Sequence, residues 1–171
     1  MKLLKRLFAP RDPHGPVRPL WHAVVARARD PHWYADLGLT DSLAGRFDAI
    51  TLVLGLVLLR MESSEGLIAP SVRLTELFVS DMDGQLREAG IGDLVVGKHI
   101  GRLMSVLGGR LGAWRDGLAQ GAASEVLDQA IARNLTLLPD APPEPLAAAA
   151  RALYAQLLAR DDAAIMAGDL A

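Results

Sequence analysis

Gly92-Asp93-Leu94-Val95-Val96-Gly97-Lys98 has the spacing of a phosphate-binding loop, in which backbone N–H groups cradle phosphates and a lysine reaches the terminal ones. His99 then stands where serine or threonine would hold magnesium, and the residues before Gly92 have helical rather than strand periodicity. The segment therefore reads as a helix cap followed by a close-packing glycine. Asp81-Met82-Asp83-Gly84 opens like a calcium loop, yet Gln85, Leu86 and Gly92 fall where an oxygen ligand, a glycine and a glutamate are needed. The four histidines, at positions 14, 22, 32 and 99, form no i, i+4 pair, and the chain has no cysteine. Zinc spacing, disulfides and a cysteine nucleophile are excluded on these counts.

One polar grouping survives this pass. On a helical wheel Asp81 and Glu88 lie at the edge of an apolar face, where a carboxylate is costly unless a cation pairs with it. Lys98, Arg102 and Arg46 are the available cations. A salt-bridge network fixing helix register is the preferred reading, since paired charges at a core edge are commonly structural. The chemical alternative is a hydrolase or transferase in which Asp81, Asp83, Glu88, Lys98 and His99 converge on one cleft. No catalytic group, cofactor or metal site is assigned.

The elements that position these residues are helical, because apolar residues recur at three and four and almost never alternate. Helices are expected at Pro19 to Arg29, from a cap among Thr40, Asp41 and Ser42 to about Glu62, at Ser71 to Ala89 with Gly90 as its terminal cap, between Gly92 and Gly117, from Ser124 to Asn134, and at Leu146 to Arg160. Trp33 to Leu39 and Ser63 to Pro70 read as connections. The run Ala49 to Leu59 is too short to span a bilayer, which takes ~20 apolar residues, and is expected as a buried core helix. In the helix after it, Leu74, Leu77, Phe78, Met82, Leu86 and Ala89 face inward.

A formal net charge of −2, with basic residues spread along the chain, lacks the footprint of a nucleic-acid binder. Lys2, Lys5 and Arg6 among Leu3, Leu4, Leu7 and Phe8 are too quickly followed by Pro10 and Pro13 for a secretion signal. They make a short basic amphipathic turn with the composition for touching anionic lipid, or an ordinary chain end. The core should be aliphatic, and the protein soluble or peripheral in the cytoplasm.

Two stripes share the helix after Gly92. Val96, Ile100, Leu103, Met104, Leu107, Leu111, Trp114 and Leu118 form an apolar sector about 100° wide, and beside it runs a ridge of Gly97, Gly101, Ser105, Gly108 and Gly112. Glycine inside a helix costs about 1 kcal/mol relative to alanine, and the usual compensation is close approach of another helix. Internal packing, with Ala49 to Leu59 as the neighbour, is the favoured expectation over a partner from outside.

Trp33-Tyr34-Ala35-Asp36-Leu37-Gly38-Leu39-Thr40-Asp41-Ser42-Leu43-Ala44-Gly45-Arg46-Phe47-Asp48, the run from Leu77 through Asp81-Met82-Asp83-Gly84 to Gly97-Lys98, and Gly109-Arg110-Leu111-Gly112-Ala113-Trp114 together cover most of residues 33 to 118. This combination resembles the ubiquinol cytochrome c chaperone family, assembly factors of the respiratory cytochrome bc1 complex. The resemblance implies a helical chaperone without catalysis that binds newly made cytochrome b at the cytoplasmic face of the membrane.

The expectations are thus an all-α, compact multi-helix bundle with a buried apolar central helix. A basic, proline-containing segment at 1–18 leads to a chaperone domain at 19–138, then a proline-rich linker at 139–145 and a C-terminal helical arm at 146–171. Partner contacts are expected at Arg46, Asp48, Asp81, Asp83, Arg87, Glu88, Asp93 and Lys98, and at Gly97, Gly101, Gly108 and Gly112 or a groove beside them. The competing reading is a helical carrier of a quinone, isoprenoid or haem, suggested by the aliphatic core.

Overall fold

Leu20, Trp21, Val24 and Ala28 recur at helical spacing and form the buried face of α1 (Arg18–Ala28). The computed structural model describes the backbone of residues 12–88, 93–120 and 125–170, and their side chains except those of Leu86, Asp93, Leu94, Val95, Val96 and His99. The stretch expected as a loop after α1 contains a short helix, α2 (His32–Ala35). Trp33 Nε1 donates to the Arg27 carbonyl, which also accepts from the Asp30 N–H, and the Tyr34 hydroxyl donates to the Ala28 carbonyl, each side-chain bond at 2.8 Å, so two aromatics tie down the end of α1.

Of the three residues expected to cap the next helix, Ser42 does so, its Oγ accepting from the Gly45 N–H at 3.1 Å. That helix, α3 (Leu43–Glu62), is the centre of the fold: every residue from Thr51 to Met61 is buried. It packs on α1, on α4 (Ile68–Glu88), on α5 (Asp93–Ala119) and on α7 (Glu144–Leu158). α4 starts earlier than its periodicity suggests, because Pro70 fits the first turn, where no intrahelical N–H bond is lost. α6 (Val126–Asn134) lies on α5 and α7, and α8 (Asp162–Ala167) closes on α1. Among the described residues there is no strand, only a single antiparallel bridge between Leu39 and Leu137. The bundle is all-α, and its largest fully buried side chains include Trp114 and Phe78 beside the expected aliphatics.

The C-terminal helices are packed on. Leu146, Ala147, Ala150, Leu153, Leu157, Ile165 and Leu170 join the core. Arg60, buried at the end of α3, donates to the carbonyls of Leu157 and Arg160 at 3.1 and 2.7 Å and to the Asp162 carboxylate at 2.9 Å. The Ser64 hydroxyl, and then Arg60, hold the Asp162 carboxyl below its ordinary value. The caps expected at Gly90 and Ser124 lie outside the described residues.

The strongest polar device is one the sequence reading placed elsewhere. Asp48, expected on a partner-binding surface, is 4% exposed and carries an ion pair of 2.6 Å with Arg110, itself 7% exposed. Its other oxygen accepts from both the backbone N–H and the hydroxyl of Thr136 at 2.7 Å. Arg110 also donates to the Thr51 hydroxyl and the Asn134 carbonyl, and its guanidinium lies 5.7 Å from the centre of the Phe47 ring. One network therefore binds α3, α5 and the segment after α6. That segment is held in turn to residues 38–40 by the Thr40 N–H to Thr136 carbonyl and Leu138 N–H to Gly38 carbonyl bonds, of 2.9 and 2.8 Å.

Removing one partner of such a pair strands a buried charge, which costs about 3–5 kcal/mol. Arg110→Ala is expected to lower the unfolding free energy in urea by about that much, while Asp48→Leu combined with Arg110→Met costs less than either single truncation. Additive losses in that double-mutant cycle would show that the pair is not a unit.

Candidate functional site

The apolar stripe of α5 was expected to face the core along its whole length. Only its C-terminal half does. Leu107 and Trp114 are buried, but no described residue between Gly97 and Val106 is. On α4 the last described buried side chain is Met82. Beyond these points the described side chains of both helices are half-buried or exposed, and the two helices pack on each other as a hairpin at the margin of the bundle.

The same exposure decides the glycine ridge. Internal packing against α3 was expected, and the structure reverses it. A methyl group added at Gly97, Gly101, Gly108, Gly109 or Gly112 would meet nothing within 4 Å. The close approach between the central helices is made instead by Gly55 of α3, where an added methyl would run into the Trp114 indole. Gly117, nearer the end of α5, is packed as well, since an added methyl there would run into the backbone of Leu127 on α6; the ridge glycines make neither approach.

Between α4 and α5, on the side of α4 away from the core, runs an open groove of about 880 Å³. One wall is a stripe of α4 that includes Val72, Glu76, Val79 and Asp83; the other comes from Gly97, Ile100 and Met104 of α5. On α4 this stripe lies opposite the buried Leu74, Leu77 and Phe78, so the helix is apolar or mixed on two sides. Val72 is 55% exposed and Met104, expected inside, is 38% exposed. Gly101 and Gly108 stand open on the same helix as this wall. A wall with so little side chain lets another helix approach closely.

The charged residues expected to meet there are only partly brought together. Asp83 and Arg87 line the groove and pair at 2.8 Å, and Glu76 joins them from the same helix. Asp81 and Glu88 are exposed rather than at a buried edge, and Asp81 accepts from Gln85 at 3.4 Å. Exposed to water, they need no cation partner. Arg46 is not their partner: it pairs with Asp41 at 2.7 Å near the start of α3, and its guanidinium holds the Asp41 carboxyl below the ordinary value. Lys98 and Gly97 lie inside α5, so the phosphate-loop spacing is accidental. The side chains of Asp93 and His99 lie outside the described residues. Among the described residues, no cluster of three or more acidic or histidine side chains is placed to hold a metal ion.

Arg110 is the residue that sequence reasoning passed over. Its signal was present: three residues after Leu107 and four before Trp114, it lies at the edge of the apolar sector, where a cation demands a buried acceptor. The demand was assigned to Asp81 and Glu88 instead.

A model of the family described as ubiquinol-cytochrome C chaperone matches residues 35–171. The chain belongs to the ubiquinol-cytochrome C chaperone family. The fold agrees: the crystal structure of the Cbp3 homolog from Brucella abortus is similar to it with a TM-score of 0.78 and 31% identity, over 98% of this chain and 93% of that one. Comparison with curated proteins gives no match. Among the described residues of this family member, no helix is long and apolar enough to cross a membrane.

The open ridge gives a test that separates surface from packing. Gly101→Ala and Gly108→Ala are each expected to raise the unfolding free energy, by up to about 1 kcal/mol, because alanine favours the helix and meets no neighbour. Gly55→Ala is expected to lower it by about 1–3 kcal/mol through overpacking against Trp114. Thermal melts of the three variants read both signs.

Proposed function

We propose that this protein is an assembly chaperone of the cytochrome bc1 complex, holding newly made cytochrome b at the cytoplasmic face of the membrane. The observation that carries the reading is the pairing of family membership with the α4–α5 hairpin and its apolar, glycine-walled groove. An apolar groove between helices is a common seat for an amphipathic or apolar helix, which would bury Val72, Val79, Ile100 and Met104. Glycines retained on an exposed helix face lower stability while adding nothing to internal packing, and residues of that kind are commonly kept for function. Asp83, Arg87 and Glu76 supply a polar rim.

A small-ligand carrier is the weaker reading. Such sites bury about 70–90% of the ligand surface, and this groove lies open between two helices.

Deleting the gene is expected to lower assembled, haem-bearing cytochrome b while leaving other respiratory complexes at their normal level. Complementation with Met104→Glu, which puts a charge in the groove without touching the core, should leave the defect largely unrepaired at equal chaperone abundance. Normal bc1 content in the deletion strain would sink the proposal, and full rescue by Met104→Glu would move the client away from the groove.

A further inference from the structure

The base of the groove wall is also where the chain enters the body. His14 Nε2 lies 3.1 Å from the Glu76 carboxylate, and Arg73 donates to the Pro13 carbonyl at 3.3 Å. Glu76 is itself part of the groove. The described chain from Asp12 to His14 therefore lies against the outer face of α4, beside the open surface.

Their composition complements that surface. At 100° per residue, Leu3, Leu4, Leu7 and Phe8 occupy one sector of about 140°, with Lys2, Lys5 and Arg6 on the opposite side. The groove offers Val79, Ile100 and Met104 to the first set and Glu76 and Asp83 to the second. Although Asp83 already pairs with Arg87, α4 as a whole carries Glu76, Asp81, Asp83 and Glu88 against Arg73 and Arg87. Reach is sufficient as well. Four extended steps from Pro13 to Ala9 span up to ~13 Å. The helical rise from Glu76 to Asp83 is ~10 Å.

We propose that Met1–Phe8 seats in the α4–α5 groove, leucines and phenylalanine against its apolar wall and the basic residues toward Glu76 and Asp83, so that the unloaded protein covers its own apolar surface. An incoming partner then displaces a tethered segment instead of meeting a bare groove. Only that displacement rests on the client reading; the seating does not.

The absence of cysteine makes a direct test available in the full chain. Leu4→Cys with Ser80→Cys places one thiol in the segment and one on an exposed position of the groove wall. The comparison pair is Leu4→Cys with Ala155→Cys, at an exposed site on α7, which packs on α3 and α6. In dilute, mildly oxidising buffer the first pair is expected to close within one chain about tenfold faster than the second, because seating raises the local thiol concentration. Adding Lys2→Glu, Lys5→Glu and Arg6→Glu should remove most of that advantage without changing the melting temperature. Equal closure rates for the two pairs, or disulfides formed only between chains, would overturn the proposal. Since closure is measured on the purified protein alone, a failure here leaves the deletion phenotype untouched, and a normal bc1 content there leaves the closure rates untouched.

Discussion

The buried Asp48–Arg110 ion pair sets the geometry on which the rest of this fold depends. It joins the central helix α3 to the long helix α5 at one height, and through Thr136 and Asn134 it brings in the segment that follows α6. With that height fixed, Trp114, one turn further along α5, comes to rest on Gly55. Two charges taken out of water gain little net stability as a pair, but they tolerate few alternative registers, since any slip leaves one of them unpaired. The network therefore acts more as a register pin than as a source of stability.

Pinning α5 through its C-terminal half has a consequence at its other end. A helix of 27 residues is about 40 Å long, and the bundle does not extend far enough to cover it. The surplus packs with the end of α4 as a two-helix hairpin at the margin of the bundle. Met104 and the open Gly97 and Gly101 belong to that stretch, whereas Val72, Gly108 and Gly112 stand on the outward sides of the covered parts of the same two helices. Contiguous apolar surface on a soluble domain commonly marks an interaction site. In a family of chaperones such a surface has an evident use.

Much of this was legible in the sequence because it rests on local chemistry. Ser42, one of the three expected caps, caps α3, and the run expected as the core from Ala49 to Leu59 lies in the buried centre of that helix, both from short-range signals. The string spanning Trp33 to Asp48 carried the family, and inside it Trp33 and Tyr34 close the end of α1. What failed was inference across elements. A helical wheel reports that Gly101 and Met104 share a side with Leu107, but not where the bundle ends. The ridge was therefore assigned inward, although its sequence is indistinguishable from that of a packed one. The same blindness sent the charge argument to Asp81 and Glu88, which are exposed on α4, and away from Arg110, whose acceptor is 62 residues distant. Asp48 was read as a surface contact because its partner could not be seen from its neighbours.

We propose that the α4–α5 surface receives newly made cytochrome b. A photoreactive residue at position 101, on the open ridge, tests it in growing cells against the same residue at position 155 on α7. Covalent products containing cytochrome b are predicted from position 101 and not from 155. Cytochrome b captured from 155 but not from 101, or from neither while the chaperone is present at its normal level, would contradict the account.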